Sequence, residues 1–225
     1  MSAEERVEFE LDMLACSIAE AFTTGYYYAL EKDRTSIAEF YCPKLAASDS
    51  TIPFIAWNGS VYNDGIEFQN YFEMLTHTHY DLEALDCNIL NPKLVDAAAV
   101  RGGTADDAKD LDRRMAVQVV ATGSVRLEEP LKGPIREFSE TFVLVPNPER
   151  LPSAKPTFEK GWQKEWLIQT QNFRFTEWGA NEVGGGNAIP KEVVMKTNGV
   201  TEGRNKGIAQ QFAAAGLLGK GKARA

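Results

Sequence analysis

The sequence predicts an α+β fold in which three helices pack on a strongly bent antiparallel sheet. Apolar residues recur at helical spacing near the start of the chain. A strict two-residue alternation takes over in four long segments further on. The order, helix–helix–strand–strand–helix and then four strands, leaves a curved sheet wrapping the helices as the economical way to bury both apolar surfaces.

The first helix is expected from Glu4 to Leu30, where Val7, Leu11, Leu14, Ile18, Phe22, Tyr26 and Ala29 follow steps of three and four and form one buried stripe. Lys32-Asp33 breaks it. Asp33 is suited to accept a backbone N–H and open a short second helix carrying Ile37, Phe40 and Tyr41, which Pro43 stops. The period then changes. Pro53–Trp57 is extended, Asn58-Gly59 is a favoured two-residue hairpin turn, and Ser60–Tyr62 returns. Asn63 or Asp64 is placed to cap a third helix with Phe68, Phe72 and Leu75 on one face.

Four strands follow, at His79–Leu90, Arg113–Leu127, Ile135–Val145 and Lys164–Trp178. In the second, Met115, Val117, Val119 and Ala121 share one side, and Gln118, Val120, Thr122 and Ser124 the other. Two stretches between strands are longer than hairpins need. Leu94–Asp112 is rich in Ala, Gly and Asp, and Pro146–Gly161 holds four prolines; both are expected to be functional or mobile loops.

The chain has 225 residues, 44% hydrophobic and 25% charged, enough for one substantial core. Its net charge of −8 argues against a surface that grips nucleic acid broadly. That average hides an asymmetry. Residues 180–225 carry seven Lys/Arg against three Glu, a balance of +4, which leaves −12 for residues 1–179. The same 46 residues hold nine of the 18 glycines and one aromatic, Phe212, so they cannot build a core of their own. The expected organisation is a domain at 1–179 with insertions at 94–112 and 146–161, and a Gly-rich basic tail at 180–225. Within the tail, 205–218 is a candidate short helix that would need a surface to dock on. No run is apolar enough for a membrane span, and the N-terminus lacks a secretory pattern. Cys16, Cys42 and Cys87 are odd in number and scattered, which points away from a disulfide framework or zinc site and toward a reducing compartment.

The sheet side facing away from the helices carries Val120, Thr122, Thr141, Val143 and Thr170, too apolar and uncharged a set for a face fully in water. Such a face calls for a partner. With Val120 and Val143 exposed there, the chain alone is expected to be poorly soluble.

Several pieces of the chain resemble the nuclear transport factor 2-like family over roughly Leu14 to Trp178. They are Phe22-Thr23-Thr24-Gly25-Tyr26-Tyr27, Trp57-Asn58-Gly59, Gly65-Ile66-Glu67-Phe68, Phe138-Ser139-Glu140-Thr141-Phe142-Val143-Leu144 and Asn172-Phe173-Arg174-Phe175-Thr176-Glu177-Trp178. The last is similar to the small subunit of the heterodimeric mRNA export receptor, and the two insertions and the tail fit its larger fungal type. The resemblance implies a cone of the family's kind with no catalytic role and no cofactor. It implies pairing with a similar domain in a large export subunit, binding of phenylalanine-glycine nucleoporins, and transport of mRNA or ribosomal ribonucleoprotein cargo. It also implies a place in the nucleus and at the nuclear pore, with shuttling to the cytoplasm.

Within that picture Arg174 is the interface arginine that reaches a partner carboxylate, a role for which a planar guanidinium is better shaped than an ammonium. Asn172 and Gln118 join Thr170, Val120, Thr122, Thr141 and Val143 in the expected interface. Arg113, Arg114, Lys220, Lys222 and Arg224 are candidate RNA or cargo contacts, with most RNA affinity assigned to the partner. The alternatives are a homodimeric carrier of Ran-GDP and a small-molecule isomerase or dehydratase. The latter would need Tyr26 or Tyr28 to converge with Asp86 or His79. His77 and His79 share a strand side without an evident third metal ligand, and Gly184-Gly185-Gly186 lacks the strand and GK[ST] of a phosphate loop, so it is a linker.

Overall fold

The computed structural model describes residues 2–46, 51–75, 77–100, 110–126, 134–151, 158 and 161–176. The chain divides into two units, Met1–Gly184 and Gly185–Ala225, and every described residue belongs to the first. The expected boundary at 179, the candidate helix at 205–218 and the basic residues Lys220, Lys222 and Arg224 lie outside the described residues.

Helix α1 runs from Ala3 to Lys32. Ser2 and Glu5 form a reciprocal capping box at its start: the Ser2 hydroxyl accepts from the Glu5 amide and the Glu5 carboxylate from the Ser2 amide. Its buried stripe runs Leu11, Ala15, Ile18, Phe22, Tyr26 and Ala29. Val7 does not join it and is 43% exposed, as residues 3–10 are exposed throughout. Arg34–Phe40 is a 3-10 helix that buries Ile37 and Phe40. Asp33 does not cap it through its side chain. The Asp33 carboxylate accepts from the Thr35 hydroxyl at 3.0 Å, and its backbone carbonyl takes the Ser36 amide.

Strands β1 (Leu45–Ala46) and β2 (Thr51–Ile52) pair with each other. Strands β3 (Phe54–Trp57) and β4 (Ser60–Tyr62) form the expected hairpin, with Asn58 at φ 44° and Gly59 at φ 91°, left-handed values that favour Asn-Gly. Helix α2 (Gly65–Glu73) is capped by Asp64, whose carboxylate accepts from the Glu67 amide at 2.8 Å, and buries Phe68 and Phe72.

The long strands are β5 (His79–Asn91), β6 (Ala116–Arg126), β7 (Ile135–Pro146) and β8 (Trp166–Phe175). They pair antiparallel in sequence, as expected, and β3 adds a parallel pairing to β8, so the six-stranded sheet has the order β4-β3-β8-β7-β6-β5 and is mixed. Register shifts at Leu82/Ala84 and Ile89/Asn91 in β5 and at Val143/Leu144 in β7 interrupt the ladders, and irregularities of this kind bend a sheet. Gly123 allows the first: a side chain there would collide with the backbone carbonyl of Asp81.

The core lies between α1, the 3-10 helix, α2 and one side of the sheet. Phe22, Tyr26, Phe142 and Trp162 meet in edge and stacked contacts, while Trp57 stacks on Phe173 at 3.8 Å.

The described ends of both insertions are pinned by buried arginines. Arg113 Nη2 donates to the Arg150 carbonyl at 3.1 Å and to that of Leu151 at 2.5 Å; Arg114 Nε donates to the Val95 carbonyl at 2.5 Å. With 7% and 3% exposure, these two side chains are engaged inside the fold, which weighs against the RNA or cargo contact expected of them. Their donors saturate carbonyls of loops that no sheet ladder serves.

Candidate functional site

The sheet side away from the helices is the candidate site. Ladder register places its residues in three rows, since opposed residues on neighbouring strands share a face. The first row is Asn88, Gln118, Val143, Thr170 and Phe54; the second is Asp86, Val120, Thr141, Asn172 and Ala56; the third is Ala84, Thr122, Ser139 and Arg174. All eight residues expected at the interface from sequence therefore lie in one contiguous block on β6, β7 and β8. Burial alternates with them: Val117, Val119 and Ala121 point inward on β6, as do Phe142 and Leu144 on β7.

Two charges occur in the three rows, Asp86 on the edge strand and Arg174 on β8. Asn172 and Arg174 are exposed; Gln118, Val120, Thr122, Thr141, Val143 and Thr170 are half-buried. The two valines thus show less apolar surface than expected. Among the described residues the Arg174 side chain has neither a hydrogen bond nor an ion pair, so its guanidinium is available to an incoming carboxylate.

The sequence reading missed Phe54 and Ser139. Phe54 stands opposite Thr170, 47% exposed, and extends the apolar part of the first row. The in–out alternation of Phe54, Ile55, Ala56 and Trp57 signals its orientation, but the parallel β3–β8 pairing that brings it to this face has no local signature. Ser139 lies between Thr122 and Arg174 and was visible in the alternation of β7.

The groups that the sequence offered an enzyme, Tyr26, Tyr28, Asp86 and His79, do not converge. Tyr28 is 63% exposed, Asp86 faces out on the open side of the sheet, and His79 Nδ1 lies 3.2 Å from the Glu31 carboxylate. Tyr26 is fully buried in a polar ring inside the core. In that ring Tyr26 donates to the Tyr41 hydroxyl (3.0 Å), Tyr41 to Gln171 Oε1 (2.5 Å), and Gln171 Nε2 to Tyr26 (2.8 Å). Gln171 Nε2 also reaches Glu140 Oε1 at 2.6 Å, and Tyr27 donates to Glu140 Oε2 at 2.7 Å. Every polar atom of the cluster is thereby engaged, which is what makes its burial tolerable.

Burial drives the Glu140 carboxyl up to about 7, against the two donors that favour its charged form. It also raises the phenols of Tyr26, Tyr27 and Tyr41 well above their ordinary range. Aromatic rings fill the space around this cluster between α1 and the sheet. Among the described residues no group of three His, Cys, Asp or Glu side chains could hold a metal ion, and no helix is long and apolar enough to cross a membrane.

No family model matches the chain. It is 23% identical over 164 residues to NTF2-related export protein 1 of Bos taurus, covering 73% of this chain and 90% of that protein. It is 22% identical over 167 residues to the human NTF2-related export protein 2, covering 74% and 91%. Among solved structures it is similar to Mtr2, with a TM-score of 0.54, 20% identity and coverage of 73% and 99%. It is likewise similar to a chain of the Chaetomium thermophilum Mex67 NTF2-like domain complexed with Mtr2, with a TM-score of 0.55, 20% identity and coverage of 73% and 98%. The described unit has the nuclear transport factor 2-like fold, and the chain resembles Mtr2 and the NTF2-related export proteins.

Proposed function

We propose that this chain is the small, non-enzymatic subunit of a heterodimeric nuclear mRNA export receptor. Its open sheet face packs against the nuclear transport factor 2-like domain of a large subunit, and the pair binds phenylalanine-glycine nucleoporins and carries ribonucleoprotein cargo through the pore. The observation that carries this reading is the contiguous, nearly uncharged block on β6–β8 with Arg174 at its margin. The similarity to Mtr2, solved elsewhere in complex with the Mex67 NTF2-like domain, supports it. The aromatic filling of the space between α1 and the sheet supports an adaptor over a small-molecule enzyme. The protein acts in the nucleus and at the pore and shuttles to the cytoplasm.

The face also sets the chemistry of recognition. Five strands at about 4.8 Å and three rows at about 7 Å cover roughly 500 Å². That is about three-fifths of one side of a standard interface, so the contact extends onto flanking segments. Apolar and hydroxyl side chains give complementarity, and Arg174 fixes orientation through a paired carboxylate.

The test is capture from nuclear extract with the tagged full chain, followed by identification of the stoichiometric partner. Wild-type protein should retain a large subunit bearing a nuclear transport factor 2-like domain. Arg174→Asp should lose at least about 100-fold in affinity while keeping its melting temperature, because like charges at a closed contact cost several kcal/mol. Retention of the partner by the variant at normal yield would refute the role of Arg174.

A further inference from the structure

Two of the three cysteines lie against each other on the side of the sheet that the proposed partner does not use. Cys16 is exposed on α1. Cys87 is half-buried on β5 and stands opposite Val119, whose side chain points to the helices, so Cys87 faces α1. Their sulfurs are 3.6 Å apart across 71 positions of sequence. A disulfide requires about 2.05 Å. The remaining approach of about 1.5 Å is within reach of side-chain rotation between a helix and an edge strand. The third thiol, Cys42, follows the 3-10 helix, and its amide bonds to the Ile168 carbonyl on β8.

We propose that Cys16 and Cys87 form a reversible intramolecular disulfide, a redox-governed clasp that ties the first helix to the edge strand of the sheet. The oxidant is hydrogen peroxide. The accessible Cys16 sulfur attacks one peroxide oxygen; the O–O bond breaks, Cys16 becomes a sulfenic acid, and the departing hydroxide takes the thiol proton and leaves as a first water. The Cys87 sulfur then attacks the Cys16 sulfur; the S–O bond breaks, and the oxygen leaves with the Cys87 proton as a second water. Two thiols are oxidised to one disulfide and one hydrogen peroxide is reduced to two waters.

The division of roles follows from the surroundings. Burial first, then the neighbouring Cys16, Asp86 and Asp12, push the Cys87 thiol up to about 11. Cys87 is therefore poor at meeting an oxidant from solution, and its part in the second step rests on its place 3.6 Å from the Cys16 sulfur. The clasp leaves the rows containing Gln118 and Val120 untouched, since Asp86 and Asn88, the neighbours of Cys87 on β5, are the ones that face that side. Oxidation should thus stabilise the chain without blocking its partner face.

The test uses the full reduced chain, exposed to hydrogen peroxide and then mapped by peptide mass spectrometry without reduction. The expected product is a Cys16–Cys87 linked peptide lighter by two hydrogens, with Cys42 still alkylatable and the link lost on adding dithiothreitol. The oxidised wild type should melt at a higher temperature than Cys16→Ser and Cys87→Ser proteins treated in parallel. Sulfinic or sulfonic Cys16 with Cys87 remaining a free thiol would overturn the proposal. So would disulfides that join two chains or involve Cys42.

Discussion

Glu140 is the residue on which local chemistry and stability meet most directly. It is a fully buried carboxyl in the middle of the sheet, with Tyr27 and Gln171 donating to it. Its folded-state value is raised from 4.5 to about 7, so the native state holds the proton more tightly than the unfolded chain does. The associated stability is fully present below 4.5 and is lost as pH rises through 7. At about 1.4 kcal/mol per pH unit the loss is about 3 kcal/mol. Comparing chemical unfolding of wild type and Glu140→Gln across that window should show wild type losing about 3 kcal/mol relative to the variant. A constant difference would mean that Glu140 does not titrate there.

None of this was legible in the sequence. Glu140 sits among Ser139, Thr141 and other strand residues as an ordinary inward or outward position. Its partners are 113 and 31 positions away, and Tyr41 meets Gln171 across 130. The burial of Arg113-Arg114 was unreadable for the same reason. A charge pair at the foot of a strand is usually solvated, and only the loops folded over it supply the carbonyls that bury it.

At the level of elements, features encoded within one or two turns were readable. The stripe on α1, the Asn-Gly hairpin, the Asp64 cap and the alternation of β6 each follow from local spacing and backbone preference. The common face of the eight residues expected at the interface was readable as well, because period-two alternation assigns a face without knowledge of the neighbouring strand. What strand pairing decides was not readable. The parallel β3–β8 ladder brings Phe54 to the open face, and the shift near Leu82 is where β5 leaves regular register against β6. Gly123 is the local condition of that shift. Gly123→Val should push β5 off β6 and cost about 3 kcal/mol, a fall in melting temperature of roughly 6–10 °C by calorimetry. Unchanged melting would show that β5 can move aside freely.

For the whole molecule, charge and face divide the labour. The −12 of residues 1–179 suits protein partners approached through a nearly uncharged sheet face. With Arg113 and Arg114 engaged inside the fold, RNA contact is proposed for the large subunit and for the basic residues 180–225. A polar network and aromatic rings fill the interior. The features that point outward to a function therefore belong to the open face of the sheet.

The central claim is that this face closes on a nuclear transport factor 2-like domain of another protein. Its most direct measurement is the mass in solution, by light scattering, of the purified chain alone and mixed with its cognate large subunit. A single 1:1 complex that Arg174→Asp prevents is the predicted result. A stable homodimer that ignores the large subunit and binds Ran-GDP would contradict it.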